Sequence, residues 1–447
     1  MAARINWHSR DNHRIRRDSF AAFVFVESST SYPHPLDRVV DFLQHVAQAL
    51  HTSGAPAQDL ERELGMLGLR LGLRVQCFAL PTMLSLTADA DGEPQRVRLL
   101  RLPPYDYNMV RLMKLHALLL DLRGAAQLAE AESRLAQIMA APPVWRGAAF
   151  VGCGFLLSAT VALLLRGSWP EMLCGGIVGA LFVIAHLRLV RKPGLGPVLP
   201  VLLCAFAALC TYALCIVLPQ QSPFITVLAG VVLLLPGFTM TIAMSELATQ
   251  NLVAGTGRLA GAFMQMLMMG AGVALGSTLG AELITVAPTG TTTALPAWAI
   301  WPNVALLGVA MLALLQAPLR SVHVVVSACL LAYATNLFVA QQAGPVAGAF
   351  AGAFAVALAG HVYQRLTGKP GILMQVPGLI TLVPGSVGFT GLNALMEQDT
   401  LSGLAILTGT LMTAAALVVG TLLANGIGSA LPRRGATWRR RGSLPRH

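Results

Sequence analysis

The sequence predicts a mostly α-helical, polytopic membrane protein: ten transmembrane helices arranged as two inverted five-helix repeats, preceded by a small cytosolic α+β domain. Three observations carry this reading. Only 11% of the 447 residues are charged and mean hydropathy is +0.65, more apolar surface than so few charges can screen in water. The apolar part divides into segments of about 20 residues, each long enough at ~1.5 Å per residue to cross a ~30 Å hydrocarbon core. That part also repeats itself: Leu234-Leu235-Pro236-Gly237 reappears as Leu382-Val383-Pro384-Gly385, 148 residues on. At the same offset Gly230, Gly237, Gly255, Gly261, Gly272 and Gly280 fall on Gly378, Gly385, Gly403, Gly409, Gly420 and Gly428, where chance would give about two coincidences.

Residues 1–35 form a polar, basic tail without the apolar run of a signal peptide, so the domain that follows is expected to stay on the side where it is made. Residues 36–143 read as the α+β domain. Val40, Phe42, Leu43, Val46 and Leu50 share one face of a helix over 37–53. Gly54-Ala55-Pro56 breaks it, and a second helix covers 57–71. Extended stretches lie in 75–87 and 95–102, separated by the turn-like Asp89-Ala90-Asp91-Gly92. Leu80-Pro81-Thr82 reads as an extended break. Helices follow over 107–122 and 126–139, and Pro142-Pro143 marks the membrane boundary.

Ten spans are expected near 144–165, 170–190, 199–218, 223–244, 258–281, 298–315, 321–340, 345–363, 372–394 and 401–424. The first five make one repeat (144–283) and the last five the other (292–425), with a basic tail over 426–447. If residues 1–143 are cytoplasmic, Arg188, Arg191, Lys192, Arg258, Arg320, Arg365 and Lys369 fall in inner loops and only Arg166 in an outer one, as the positive-inside rule requires of a bacterial cytoplasmic membrane protein with both termini inside. The same rule accounts for the net charge of +11, and no aromatic-basic module points to nucleic acid. Five is odd, so the second repeat enters the membrane from the opposite face. Inverted repeats of this kind mark secondary transporters.

Pro236-Gly237 lies inside span four and Pro384-Gly385 inside span nine. Proline removes a backbone donor and clashes with the preceding turn, so each pair is expected to break its helix in mid-membrane. The freed backbone groups need partners there, which a polar solute supplies, and half-helix N-termini attract carboxylates. Hydroxyls follow each break: Thr239, Thr241 and Ser245 after the first, Ser386 and Thr390 after the second, with Asn393 beyond. These residues make up the expected substrate site. Glu246, Glu397 and Asp399 are the carboxylates nearest the breaks and candidates for proton or charge coupling, against the alternative of solvated helix caps. Arg258, opening span five, could pair with Glu246, meet a substrate carboxylate or anchor the span.

Other polar residues invite simpler readings. Asn303 and Asn336 suit interhelical hydrogen bonds. His186, His323 and His361 lack metal-ligand spacing, and Met264, Met266, Met268 and Met269 spread around their helix, as packing residues do. The seven cysteines contain no CxxC pair and read as small buried residues. Neither a metal nor a cofactor is expected. His51-Thr52-Ser53-Gly54 offers an imidazole and a hydroxyl but no third residue to complete a triad, so an enzyme is not expected.

In order along the chain, Ala49-Leu50-His51-Thr52-Ser53-Gly54-Ala55, Leu60-Glu61, Leu71-Gly72-Leu73, Leu80-Pro81-Thr82, Leu235-Pro236-Gly237, Ser245-Glu246-Leu247, Gly255-Thr256-Gly257-Arg258 and Leu382-Val383-Pro384-Gly385-Ser386 resemble the pattern of the threonine/serine exporter family over about residues 36–425. The resemblance implies export of L-threonine and L-serine across the cytoplasmic membrane, driven by the proton gradient. Two-chain relatives linked with succinate efflux make a dicarboxylate the alternative substrate; a membrane-anchored metabolite sensor is the rival of another class. The partners expected are thus a small-molecule substrate, protons and the lipid bilayer, with a homo-oligomer left open.

Overall fold

The computed structural model describes residues 35–102, 107–190, 192, 194–219, 221–284, 295–383, 385–396 and 398–430. Among the sequence expectations, the tails over 1–34 and 431–447, Pro384 and Glu397 lie outside the described residues.

The N-terminal part is α+β. Helix α1 (Pro35–Thr52) buries Val40, Phe42, Leu43, Val46 and Leu50, the apolar face read from its spacing. Helix α2 (Ala57–Arg70) buries Leu60, Leu64 and Leu67. Strands β1 (Arg74–Ala79), β2 (Met83–Asp89) and β3 (Arg96–Arg101) form an antiparallel sheet in the order β1-β2-β3. In β2 the alternation is strict: Leu84, Leu86 and Ala88 are buried while their neighbours are not. Arg96 and Arg98 of β3 reach Asp37 and Asp41 of α1, each at 3.2 Å, and Arg38 reaches Glu132 at 2.7 Å. The last contact ties α1 to α4 (Leu128–Ala140), which follows α3 (Met109–Asp121). Leu80-Pro81-Thr82 is not an extended break: the Leu80 amide donates to the Met83 carbonyl at 2.8 Å, closing a tight turn between β1 and β2. Proline suits that turn because its fixed φ is already that of a turn residue.

The rest is helical: α5 (Ala148–Leu164), α6 (Trp169–Leu189), α7 (Leu199–Val217), α8 (Pro223–Gly230), α9 (Gly237–Ala248), α10 (Leu252–Leu283), α11 (Ile300–Leu314), α12 (Val322–Ala343), α13 (Pro345–Thr367), α14 (Ile372–Leu382), α15 (Gly385–Met396) and α16 (Thr400–Ala430). Among the described residues, eight helical segments are long and apolar enough to cross a membrane. The pair formed by Pro223–Gly230 and Val232–Ala248 qualifies only jointly and is bent by 48°. The expected first span is the 17-residue α5, shorter than the 144–165 read from hydropathy, because Gly147, at φ 59, turns the chain just before it. Helix α10 starts six residues before the expected 258, directly after the turn at Gln250 and running through Gly255 and Gly257, and α16 continues to Ala430.

Local geometry recurs at the offset of the sequence repeat. Gln250 and Gln398 both adopt left-handed φ, 67° and 66°. The Asn251 amide donates to the Glu246 carbonyl at 2.8 Å, and the Asp399 amide to the Ala394 carbonyl at 2.9 Å. Close helix contacts recur as well: a Cβ on Gly272 of α10 would strike the Val201 carbonyl of α7, and a Cβ on Gly420 of α16 the Phe350 carbonyl of α13. Small residues let the backbones touch where lipid gives no hydrophobic drive for association. All seven cysteines are free; burial, with a smaller push from Glu61, raises the Cys77 thiol to about 12.

Candidate functional site

The first break is built from its sequence. After α8 a 3₁₀ turn covers Val232–Leu234, and Leu235 is extended at φ −60, ψ 120. The ring of the following proline forces that conformation on the residue before it. Pro236 then caps α9, which starts at Gly237. The second break matches: Val383 is extended at φ −64, ψ 126, and α15 starts at Gly385.

The two breaks meet. A Cβ on Gly237 would lie 3.0 Å from the Gly385 Cα and collide with Val383. A Cβ on Gly385 would lie 3.1 Å from the Gly237 Cα. Two 12-residue helices therefore bring their N-termini, with the unpaired amides and positive dipole ends these carry, to one place. Such a place favours a carboxylate.

Pro236, Gly237 and Gly385 are buried, and Thr239, Ser386 and Asn393 half-buried. Thr241 is buried and its Oγ1 donates to the Gly237 carbonyl at 3.3 Å; the half-buried Thr390 Oγ1 donates to the Ser386 carbonyl at 3.0 Å. Both hydroxyls turn back on their own helix, and their free lone pairs can still accept. Ser245 lies two turns past the break, its carbonyl accepting from Thr249 Oγ1 at 2.8 Å.

Glu246 and Arg258 form a buried ion pair, Nε to Oε2 at 2.9 Å, with side chains 1% and 4% exposed. The Ala57 amide, at the start of α2, and the Glu61 carboxylate face the same group. Asp399 is exposed, and its Oδ1 accepts from the Ser402 amide at 3.2 Å, an N-cap on α16. The pair and Asp399 thus stand apart in character, one buried and charge-compensated, the other a wet cap. Asn303 of α11 donates to the Thr160 carbonyl of α5 at 2.9 Å, joining two helices. Among the described residues, no group of three or more His, Cys, Asp and Glu side chains is placed to hold a metal ion.

Sequence reasoning passed over three residues. Gln265 Nε2 donates to the Leu234 carbonyl at 2.6 Å, satisfying a group that the first break frees. The signal was present: an amide flanked by Met264 and Met266 in an apolar helix needs a partner. Glu171 is 1% exposed; its Oε2 accepts from the Ser168 amide at 2.9 Å and its Oε1 from the Ser222 amide at 2.7 Å, tying the start of α6 to the start of α8. Tyr107 packs edge-on against Phe238 at 5.0 Å, beside the first break.

A chain with this many apolar helices, bent and interrupted where two of them meet, is a multi-pass membrane protein. A family model for threonine/serine exporters matches residues 41–280, and a second threonine/serine exporter model matches residues 299–427. The chain belongs to the threonine/serine exporter family. It is similar to the threonine/serine exporter of Corynebacterium glutamicum, 25% identical over 341 residues, which cover 73% of this chain and 69% of that protein. No solved structure matches.

Proposed function

We propose that the protein exports L-threonine and L-serine across the cytoplasmic membrane as a proton-driven secondary transporter, its substrate held between the breaks in α8–α9 and α14–α15. The observation that carries this reading is the convergence of the two helix N-termini at Gly237 and Gly385: dipoles and unpaired amides bind the substrate carboxylate, and the neighbouring Thr239, Thr241, Ser386 and Thr390 suit its hydroxyl. In this reading ten spans form two inverted repeats, with residues 36–143 and both termini cytoplasmic. Bent and short helices count as spans because they line a polar site rather than face lipid. The recurrence of the Leu235 and Val383 conformations and of the Gln250 and Gln398 turns supports the repeat.

Glu246 and Arg258 serve charge coupling: a proton on Glu246 releases Arg258, and the pair reforms when the proton leaves. Asp399 and Glu397 remain weaker candidates. The same pair favours a second reading. With Glu246 held by Arg258, the ammonium of an amino acid lacks that anion partner, whereas a C4 dicarboxylate such as succinate needs none. The deciding experiment loads cells with a threonine-containing dipeptide, or with succinate, and follows efflux in overexpressing and deletion strains, with and without an uncoupler. Faster threonine efflux that the uncoupler abolishes is expected. Equal threonine efflux in both strains removes the amino-acid reading, and efflux indifferent to the uncoupler removes the proton.

A further inference from the structure

The N-terminal α+β part does more than precede the membrane helices: it touches both ends of α9. At one end Tyr107 stacks edge-on against Phe238, the residue after Gly237. At the other, Gln58 of α2 hydrogen-bonds Thr249, just past the last residue of α9. Between them the start of α2 presents the Ala57 amide to Glu246, where the positive end of a 14-residue helix meets a carboxylate. The β1–β2 turn comes alongside α10, with Pro81 3.8 Å from where a Cβ on Gly257 would sit. The Met109 amide, opening α3, donates to the Leu315 carbonyl at the end of α11, 2.9 Å away.

The element it touches is a discrete piece of helix. Helix α9 is a 12-residue rod bounded by the extended Leu235 and by Gln250 in left-handed conformation, two non-helical points that can absorb a change of angle. Its first turn forms one wall of the contact between the breaks. The seat of Tyr107 is equally specific. Gly54 sits at φ 93, and a Cβ there would fall 2.7 Å from the tyrosine ring, so only glycine admits both the turn and the ring. That accounts for the glycine that ends the His51-Thr52-Ser53-Gly54 stretch.

We propose that the α+β part is the inner gate of the exporter: while Tyr107, Ala57 and Gln58 hold α9, the substrate site is closed to the cytoplasm, and it opens only when α9 swings away from them. The inference rests on the export reading for its purpose, but its test does not. In a cysteine-free full-length chain in inside-out vesicles, Gln58→Cys and Thr249→Cys are joined by a short, reducible bis-thiosulfonate linker, with Ser386→Cys as a reporter read by a membrane-impermeant maleimide. Labelling of the reporter from the cytoplasmic face is expected to fall at least about tenfold on cross-linking and to return on reduction; in each single variant the linker leaves the labelling rate unchanged. Tyr107→Ala, which leaves the chain connectivity intact, raises labelling several-fold. Unchanged labelling of the cross-linked protein, or failure of the two cysteines to cross-link, overturns the gate. Threonine flux measured in vesicles carrying the unsubstituted chain separates the two ideas: no flux there removes the export reading, while the labelling still decides the gate.

Discussion

Gly237 and Gly385 occupy each other's van der Waals margin: a Cβ on Gly237 would meet the Val383 side chain and, 3.0 Å away, the Gly385 backbone, which has no side chain to move aside. Gly237→Ala is expected to force the two breaks apart at a strain of roughly 1–3 kcal/mol, cutting efflux at least tenfold while the protein still reaches the membrane at normal abundance; transport at the parental rate would show that the breaks need not touch. The Glu246–Arg258 pair behaves differently. Removing one partner strands a buried charge, so Arg258→Met should destabilise by several kcal/mol, whereas Arg258→Met with Glu246→Leu should recover most of the loss. Melting temperatures of the purified single and double variants test this. Another residue gives a pH dependence. Burial lowers the pKa of His45 below 6.5, with Asp41 and Glu132 opposing. The unfolded chain therefore binds the proton first as pH falls past 6.5, and stability drops with acidification below that point. His45→Gln should flatten the fall in melting temperature between pH 7 and pH 5.

At the scale of elements, the interruption of α8–α9 is held by more than its proline. Gln265 on α10 satisfies the Leu234 carbonyl, and leaving that group unpaired costs roughly 1–3 kcal/mol. Gln265→Leu is expected to lower efflux several-fold and to slow it most at low substrate, a change in KM that a purely structural loss would not give; KM and maximal rate measured in vesicles separate the two. The helices themselves were largely legible. Period, length and breakers located α1, α2 and the apolar segments to within a few residues, because a chain in lipid must satisfy its backbone within each helix. The short α5 and the early start of α10 were not legible, since hydropathy does not register the φ of Gly147 or the turn at Gln250.

For the whole molecule, the order of elements and the offset of 148 residues were written in the chain, and the two family models match residues 41–280 and 299–427. Topology is the matching prediction. Reporters fused after residue 430 and before residue 36 should report the same side, and one inserted at 166–168 the opposite side; the positive-inside count requires it.

Sequence alone determined that this chain enters a membrane, where its helices break and which family it resembles, because burial in lipid and the geometry of Pro-Gly are local constraints. Which polar groups share a site was decided by tertiary structure. The approach of Gly237 to Gly385, the pairing of Glu246 with Arg258 and the reach of Tyr107 to Phe238 join residues 148, 12 and 131 positions apart in the sequence. Such contacts depend on how whole helices pack, and no local pattern encodes them.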